Sequence, residues 1–289
     1  MQKIRKAIVA VAGTSTRFLP AAKSMPKQMF PIIDKPIIQL VVEELVEAGI
    51  EDIILVTTWN KKPLEDYFDR NWALEHELEK AGKERHLKEI IKIAEMANFI
   101  YVNQKGPYGN GTPILSAASL VKNEPFIFAF GDDLVKSKTS FTKQMIEDYN
   151  KTGHLIMGVQ KVPKQEVDRY GIVKLKENTM QIEDIIEKPS IKEAPSQFAE
   201  FGRMILNQDI INILKKTSLG KNNELWIIDA IHKYLKKGGE FYAKKVENGE
   251  WLTTGDPFNY LKAILKYTAD RKDMDKNLIK EIKKLSKKL

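Results

Sequence analysis

Directly after a short apolar run, the segment AGTSTRFLPAAKSMPKQMFP (residues 12–31) brings together a glycine, cations and three prolines. Gly13 permits a tight turn whose backbone N–H groups can approach phosphate oxygens, while Arg17 and Lys27 supply fixed and mobile positive charge. Pro20, Pro26 and Pro31 keep the segment from becoming a helix, which separates it from a dinucleotide-binding turn that passes at once into one. The phosphate-loop pattern G-x-x-x-x-G-K-[ST] is absent. A solvated surface loop is the plain alternative, and the concentration of Gly, Arg and Lys just after a buried strand weighs against it.

These residues need a scaffold, and the first half of the chain supplies a regular one. Residues 7–12 read as a strand, 36–48 as a helix between Pro36 and Gly49, and 52–58 (DIILVTT) as a buried strand. A long helical region over about 62–96, broken near Gly82, leads to a strand at 99–102. A Gly-rich stretch (105–112), a helix (114–121) and a strand (125–130) ending in Gly131-Asp132-Asp133 follow. Alternating strands and helices imply an α/β, Rossmann-like mixed, mainly parallel central sheet flanked by helices, with ligands at the carboxyl ends of its strands. The unusual segments after Ala12, Val102 and Phe130 sit at such ends. The second half reads as additional hairpin strands at 155–162, Gly171–Leu175, 181–186 and Phe198–Leu206, then helices at 224–237 and 258–270. One interwoven catalytic domain (1–269) with a C-terminal helical tail (270–289) is the simplest organisation.

Composition narrows the function. With 289 residues and 43% hydrophobic content the chain can bury a large core, and the absence of cysteine excludes disulfides, thiolate nucleophiles and Cys-ligated metal. The start MQKIRKAIVAVAG reads as a strand rather than a leader, and no run reaches the roughly 18–20 apolar residues of a spanning helix. A soluble, cytoplasmic protein without a membrane partner is expected. The net charge of +8 favours anionic partners, but the basic tail carries Leu278, Ile279, Ile282, Leu285 and Leu289 at helical spacing. That stripe suits a helix docked on its own fold or on a second subunit better than a nucleic-acid arm. His76, His86, His154 and His232 have no metal-ligand spacing, and Trp59, Trp72, Trp226 and Trp251 read as core or pocket-wall residues.

VAGTSTRFLPAAKSMPKQMFPIIDKPIIQLVVEELVEAGI resembles the signature of sugar-nucleotide pyrophosphorylases, in particular the bacterial and archaeal UDP-glucose pyrophosphorylase branch. The likeness continues through FDRNWALEHELEKAGK, VNQKGPYGNGT, FGDDLV, RYGIV, IIEKPSIKEAPSQFAEFGRMIL and GDPFNYLKA, nearly the whole chain. It implies a nucleotidyltransferase, glycosyltransferase-A-like fold and formation of UDP-glucose from UTP and glucose 1-phosphate with Mg²⁺, in a homodimer or homotetramer. By the same resemblance, Ala12, Gly13 and Arg17 hold the triphosphate and Lys27 neutralises it near the reacting phosphorus. Gln104 and the Gly109-Asn110-Gly111 turn read the uracil, and Asp132 holds the metal, with Asp133 pointing elsewhere. Gly171, Glu187, Lys188 and Gly202, with Glu224, lie toward the sugar phosphate, Glu187 accepting from hydroxyls and Lys188 holding phosphate.

Three positions depart from the family pattern: Ser15 replaces the second glycine of the turn, Gln28 an acid, and Thr253 an aspartate that is a second metal ligand in part of the superfamily. The resemblance then implies Mg²⁺ held by Asp132 with phosphates and waters, one of them supported by the Thr253 hydroxyl, or compensation by Asp133 or Asp256. A thymidylyltransferase, a catalytically weak regulatory relative and a nucleic-acid module are the competing expectations.

Overall fold

The computed structural model of the chain describes residues 2–58, 62–269, 271 and 276–287, with side chains of the last segment from residue 280. β1 (Lys6–Ala10) runs into the proline-punctuated loop, where helical structure is limited to three-residue 3-10 turns. A small ribbon of β2 (Pro31–Ile32) and β3 (Lys35–Pro36) closes that loop and delivers the chain to α1 (Ile37–Glu47). β4 (Asp52–Thr57) follows.

The helical region comes in three pieces, α2 (Lys62–Phe68), α3 (Trp72–Lys80) and α4 (Glu84–Glu95), one more than expected. Gly82, at φ +67°, makes the anticipated break, and the additional one is set by Asn71, whose side chain accepts from the Leu74 N–H at 3.0 Å and caps α3. β5 (Asn98–Asn103), α5 (Thr112–Val121) and β6 (Phe126–Phe130) complete the parallel half. Beyond it lie β7 (Asp133–Ser137), α6 (Phe141–Thr152), β8 (Leu155–Lys161), β9 (Gly171–Leu175), β10 (Ile182–Glu187) and β11 (Phe198–Leu206). α7 (Gln208–Leu214), α8 (Ile227–Lys236), β12 (Phe241–Lys245), β13 (Gly249–Thr253), α9 (Pro257–Thr268) and α10 (Lys276–Ser286) end the described chain.

The sheet is mixed. β5, β4, β1 and β6 lie side by side in parallel, and β11 joins β6 antiparallel. β11 is long enough to branch: β8, with β12 beside it, lies along one edge, while β6 and the β9–β10 hairpin share the other. Alternation along β1 sends Ala7 and Val9 into the core under α1 and α6, and Ile8 into the core under α5, α7 and α8. Burial on both faces explains why these strands read as continuous apolar runs.

A two-stranded antiparallel ribbon, β7 with β13, stands outside the main sheet and sets Thr253 opposite Asp133. In the C-terminal helix Leu285 is exposed; the side chains of Leu278 and Ile279, and Leu289 itself, lie outside the described residues, as does Trp59. Trp72 corrects an expectation: it is 70% exposed beneath the Arg70 guanidinium, in neither core nor pocket wall. Among the described residues no helix is long and apolar enough to cross a membrane.

Candidate active site

A cleft of about 420 Å³ opens where the parallel strands end. Ala12, Gly13, Arg17 and Lys27 reach it from the loop after β1, Gln104 and Gly109 from the loop after β5, and Asp132 from the end of β6. Gly171, Glu187, Lys188 and Glu224 reach it from the opposite wall. Gly111 and Gly202, also expected there, do not line it. Gly111 packs behind the loop, where an added Cβ would meet Leu214 at 2.9 Å, and Gly202 lies under Phe130, whose ring carbon would be 2.1 Å from such a Cβ. Both glycines serve close packing rather than access for a ligand.

On the first wall Ser15 adopts φ 58°, ψ 27°, a left-handed conformation that costs a non-glycine residue about 1–2 kcal/mol. The turn therefore keeps a glycine-like backbone although the side chain is serine. Arg17 is exposed at its rim, one guanidinium nitrogen 3.4 Å from the Gly255 carbonyl. The loop after β5 is stapled to the segment before α8: Leu225 N–H donates to the Tyr108 carbonyl (2.8 Å) and Gly111 N–H to the Leu225 carbonyl (2.9 Å). Gly109, at φ +123°, passes so close that a Cβ would fall 2.2 Å from the Leu225 oxygen, so a side chain is excluded there on packing grounds alone.

Asp132 and Asp133 leave the strand in different directions. The Asp132 carboxylate is ion-paired to Lys27 in the cleft, and its backbone carbonyl accepts from Thr254 N–H (2.9 Å) and Thr254 Oγ1 (2.7 Å). Asp133 turns inward, accepting from Trp251 Nε1 (3.0 Å) and Gly202 N–H (3.2 Å). Burial, and next the negative charge of Asp132, push its carboxyl up to about 6. Fully buried Arg203 pins this corner, donating to the Asp133 carbonyl (2.9 Å) and to Glu44 (2.7 Å).

The second wall is acidic. Gly171 and Glu187 are cross-strand partners, and an added Cβ on Gly171 would lie 3.3 Å from Glu187 Oε2 and 2.9 Å from Glu200 Cγ. Lys188, left-handed at φ +46°, holds its ammonium 3.3 Å from Glu187 Oε1 and 4.1 Å over the Trp226 ring. Burial raises the Glu187 carboxyl, and the Lys188 charge opposes that rise. Trp226 and Trp251 are wall residues, as expected. Glu200 and Arg169 also line the cleft and were missed, and Gln28, noted only as a departure from the family pattern, lines it too; for Glu200 the available signal was a charge inside the otherwise apolar strand FAEFGRMIL, which holds only one other, Arg203. None of the four histidines lines it.

The sequence pattern of the nucleotidyl transferase family matches residues 6–270. The chain belongs to this family. It is 40% identical over 281 residues to the UTP–glucose-1-phosphate uridylyltransferase YngB of Bacillus subtilis (strain 168), covering 96% of this chain and 94% of that protein. A crystal structure of a UDP-glucose pyrophosphorylase complexed with UDP-glucose is 40% identical with a TM-score of 0.84, over 93% of this chain and all of that one. A UTP-bound UDP-glucose pyrophosphorylase from Acinetobacter baumannii is 37% identical with a TM-score of 0.88, over 97% and 99% of the two chains.

For a nucleotidyl transferase the donor set at Asp132 suits magnesium. The point where a Cβ on Gly255 would sit is 3.4 Å from Thr253 Oγ1 and 3.6 Å from both Asp132 Oδ2 and Arg17 Nη1, so a carboxylate, a hydroxyl and a cation face one space. Among the described residues no three or more His, Cys, Asp or Glu side chains form a metal cluster. A single carboxylate is compatible with Mg²⁺, which commonly retains waters and takes phosphate oxygens as its other ligands. Asp256 does not stand in for the aspartate missing at 253. It caps α9, accepting from Asn259 N–H at 3.0 Å, and is paired to Arg169 at 2.6 Å. Asp133 is likewise engaged by Trp251 and Gly202.

Proposed function

We propose that this nucleotidyl transferase forms UDP-glucose and pyrophosphate from UTP and glucose 1-phosphate. One observation carries the reading: Arg17 and Lys27 from the loop after β1, Asp132 from the end of β6 and Lys188 after β10, three separate segments, line a single cleft. Repulsion between two polyanions is the main obstacle to such a reaction, and cations converging from opposite walls offset it.

Gln104, whose amide both donates and accepts, reads the uracil imide edge beside Gly109. Ala12, Gly13 and Arg17 hold the triphosphate. Lys188 holds the phosphate of the sugar and Glu187 accepts from its hydroxyls. A phosphate oxygen of the sugar 1-phosphate attacks the α-phosphorus in line; the new P–O bond forms as the α–β bridging bond breaks, and pyrophosphate leaves with that electron pair. The attacking oxygen is already anionic near neutral pH, so no general base is required. Mg²⁺ at Asp132 would supply charge neutralisation between the nucleotide phosphates and the enzyme. Lys27, ion-paired with Asp132 in the cleft, neutralises charge on the reacting phosphates.

A cytoplasmic enzyme fits the cysteine-free composition, and the reading extends to a homodimer or homotetramer without nucleic-acid or membrane partners. The test is a pyrophosphate-release screen of UTP, dTTP, CTP, ATP and GTP crossed with several hexose 1-phosphates, with Mg²⁺ or with EDTA. Turnover greatest for UTP with glucose 1-phosphate and abolished by EDTA is expected. Preference for dTTP, or no release with any pair, would sink the reading.

A further inference from the structure

Glu200 sits within β11, where a charged side chain has no ordinary reason to be. It is 5% exposed, and it lines the cleft. The other charge on that strand, Arg203, gives it nothing, because the guanidinium is directed to Glu44 and to the backbone carbonyls of Gly202 and Asp133. Glu200 Oε2 is buried without a hydrogen-bond partner, and so is Oε2 of Glu187. The two carboxyls flank one spot: the Cβ that Gly171 lacks would be 3.3 Å from Glu187 Oε2 and 3.3 Å from Glu200 Oε1. Leaving a buried polar atom unpaired is costly, and here two such atoms share one wall.

A partner arriving through the cleft would recover that cost, and the donors present limit what it can be. Another anion would be repelled. Among the described residues there is no metal-holding cluster of three or more His, Cys, Asp or Glu side chains. Burial, then the neighbouring Glu187 charge, raise the Glu200 carboxyl well above its ordinary range. A hydroxyl, itself both donor and acceptor, complements two carboxyls that flank one spot and leave buried oxygens unpaired. Lys188, next to Glu187, marks where the phosphate end lies, which leaves the ring hydroxyls for the carboxyl pair.

The geometry points to Glu200 as a specificity-determining residue that, with Glu187, reads a ring hydroxyl of the sugar 1-phosphate; this rests on the reaction proposed above. The chain thereby keeps a buried polar group that packing alone would replace with an apolar one.

The experiment measures kcat/KM of wild type, Glu200→Gln and Glu200→Leu with UTP and glucose 1-phosphate, and with glucose 1-phosphates each lacking one hydroxyl, alongside the KM for UTP and the melting temperature. Wild type should discriminate against one deoxy sugar by about 10- to 100-fold, the range for losing a hydrogen bond that the site was built to make. Glu200→Gln, which keeps a polar group of the same shape at the spot, should retain that preference. Glu200→Leu should use glucose 1-phosphate and that analogue nearly equally, with unchanged KM for UTP and a melting temperature at or above wild type.

A full wild-type preference series in Glu200→Leu would overturn the inference, as would wild-type use of every deoxy sugar within about threefold of glucose 1-phosphate. An unfolded Glu200→Leu would overturn it too, since Glu200 would then be holding the strand. Preference of wild type for glucosamine 1-phosphate, lost in Glu200→Gln, would replace the hydroxyl by an ammonium. Absence of pyrophosphate release from wild type with all these sugars would fail the proposed reaction instead.

Discussion

On one wall of the cleft the chemical groups ride on loops that leave parallel strands after Ala10, Asn103 and Phe130, whereas on the other they belong to, or directly follow, antiparallel strands: Gly171 on β9, Glu187 on β10 and Glu200 on β11. The loop wall carries exposed or ion-paired cations such as Arg17 and Lys27. The strand wall carries carboxyls with unpaired buried oxygens. Loops can follow a flexible polyphosphate as it binds, while ladder hydrogen bonds fix side chains at the spacing that a rigid sugar ring requires. On the proposed reaction, adjustable charge would meet the nucleotide and fixed polar geometry the sugar.

Asp132→Asn tests that division most severely, because this carboxylate, the proposed magnesium ligand, stands between the walls. A loss of kcat on the order of 10³-fold is expected in steady-state pyrophosphate release, and EDTA should do the same to wild type. A variant keeping a tenth of wild-type kcat would remove Asp132 from the centre of the site. Next in size, Lys188→Ala should raise the KM for glucose 1-phosphate about 100-fold and leave that for UTP nearly unchanged, with Arg17→Ala showing the converse in smaller measure. Equal losses for both substrates in either variant would erase the distinction between the walls.

Asp133 joins the walls from behind, and pH probes it. Its folded-state pKa of about 6 lies above its ordinary 3.8, so the folded protein binds this proton more tightly than the unfolded chain. The resulting stabilisation is complete below 3.8 and is lost as pH rises through about 6. Asp133→Asn should flatten the fall in stability across that window by at most about 1.4 kcal/mol per pH unit, measured by urea unfolding at a series of pH values. An unchanged slope would mean that Asp133 is not buried as described. Smallest of all, Ser15→Gly relieves the left-handed strain but adds unfolded-state freedom, so a stability change within about 1 kcal/mol is expected. A larger gain on thermal melting would show the turn to be more strained than its backbone angles indicate.

The same division decides what could be read without coordinates. Gly13, Arg17, Lys27 and Asp132 stand out in the sequence because glycine, proline and charge interrupt an apolar period at strand ends, and the structure places all four on the cleft. Glu200 did not stand out, since one charge in a strand reads as a solvent-facing residue until both faces are known to be covered. Glycines misled for a related reason. Gly111 and Gly202 answer to Leu214 and Phe130 behind the site, and a sequence does not distinguish close packing from close approach to a ligand. The parallel half was legible within a few residues, but α6 was overlooked although Ser140 caps it and Gly153, at φ +75°, ends it. β7 and β13 were beyond reach, because each is a five-residue strand defined by a partner more than a hundred residues away.

That ribbon also governs when a growing chain can first act. The carbonyl of Asp132 is held by Thr254, so every earlier strand can be in place while Asp132 still lacks its anchor. A ribosome that has released the chain only through β12 has made every strand of the main sheet but not the residue that anchors Asp132. Competence arrives with the closing of a distant contact late in synthesis, and in a refolding experiment the return of catalysis should trail the return of helical and sheet signal.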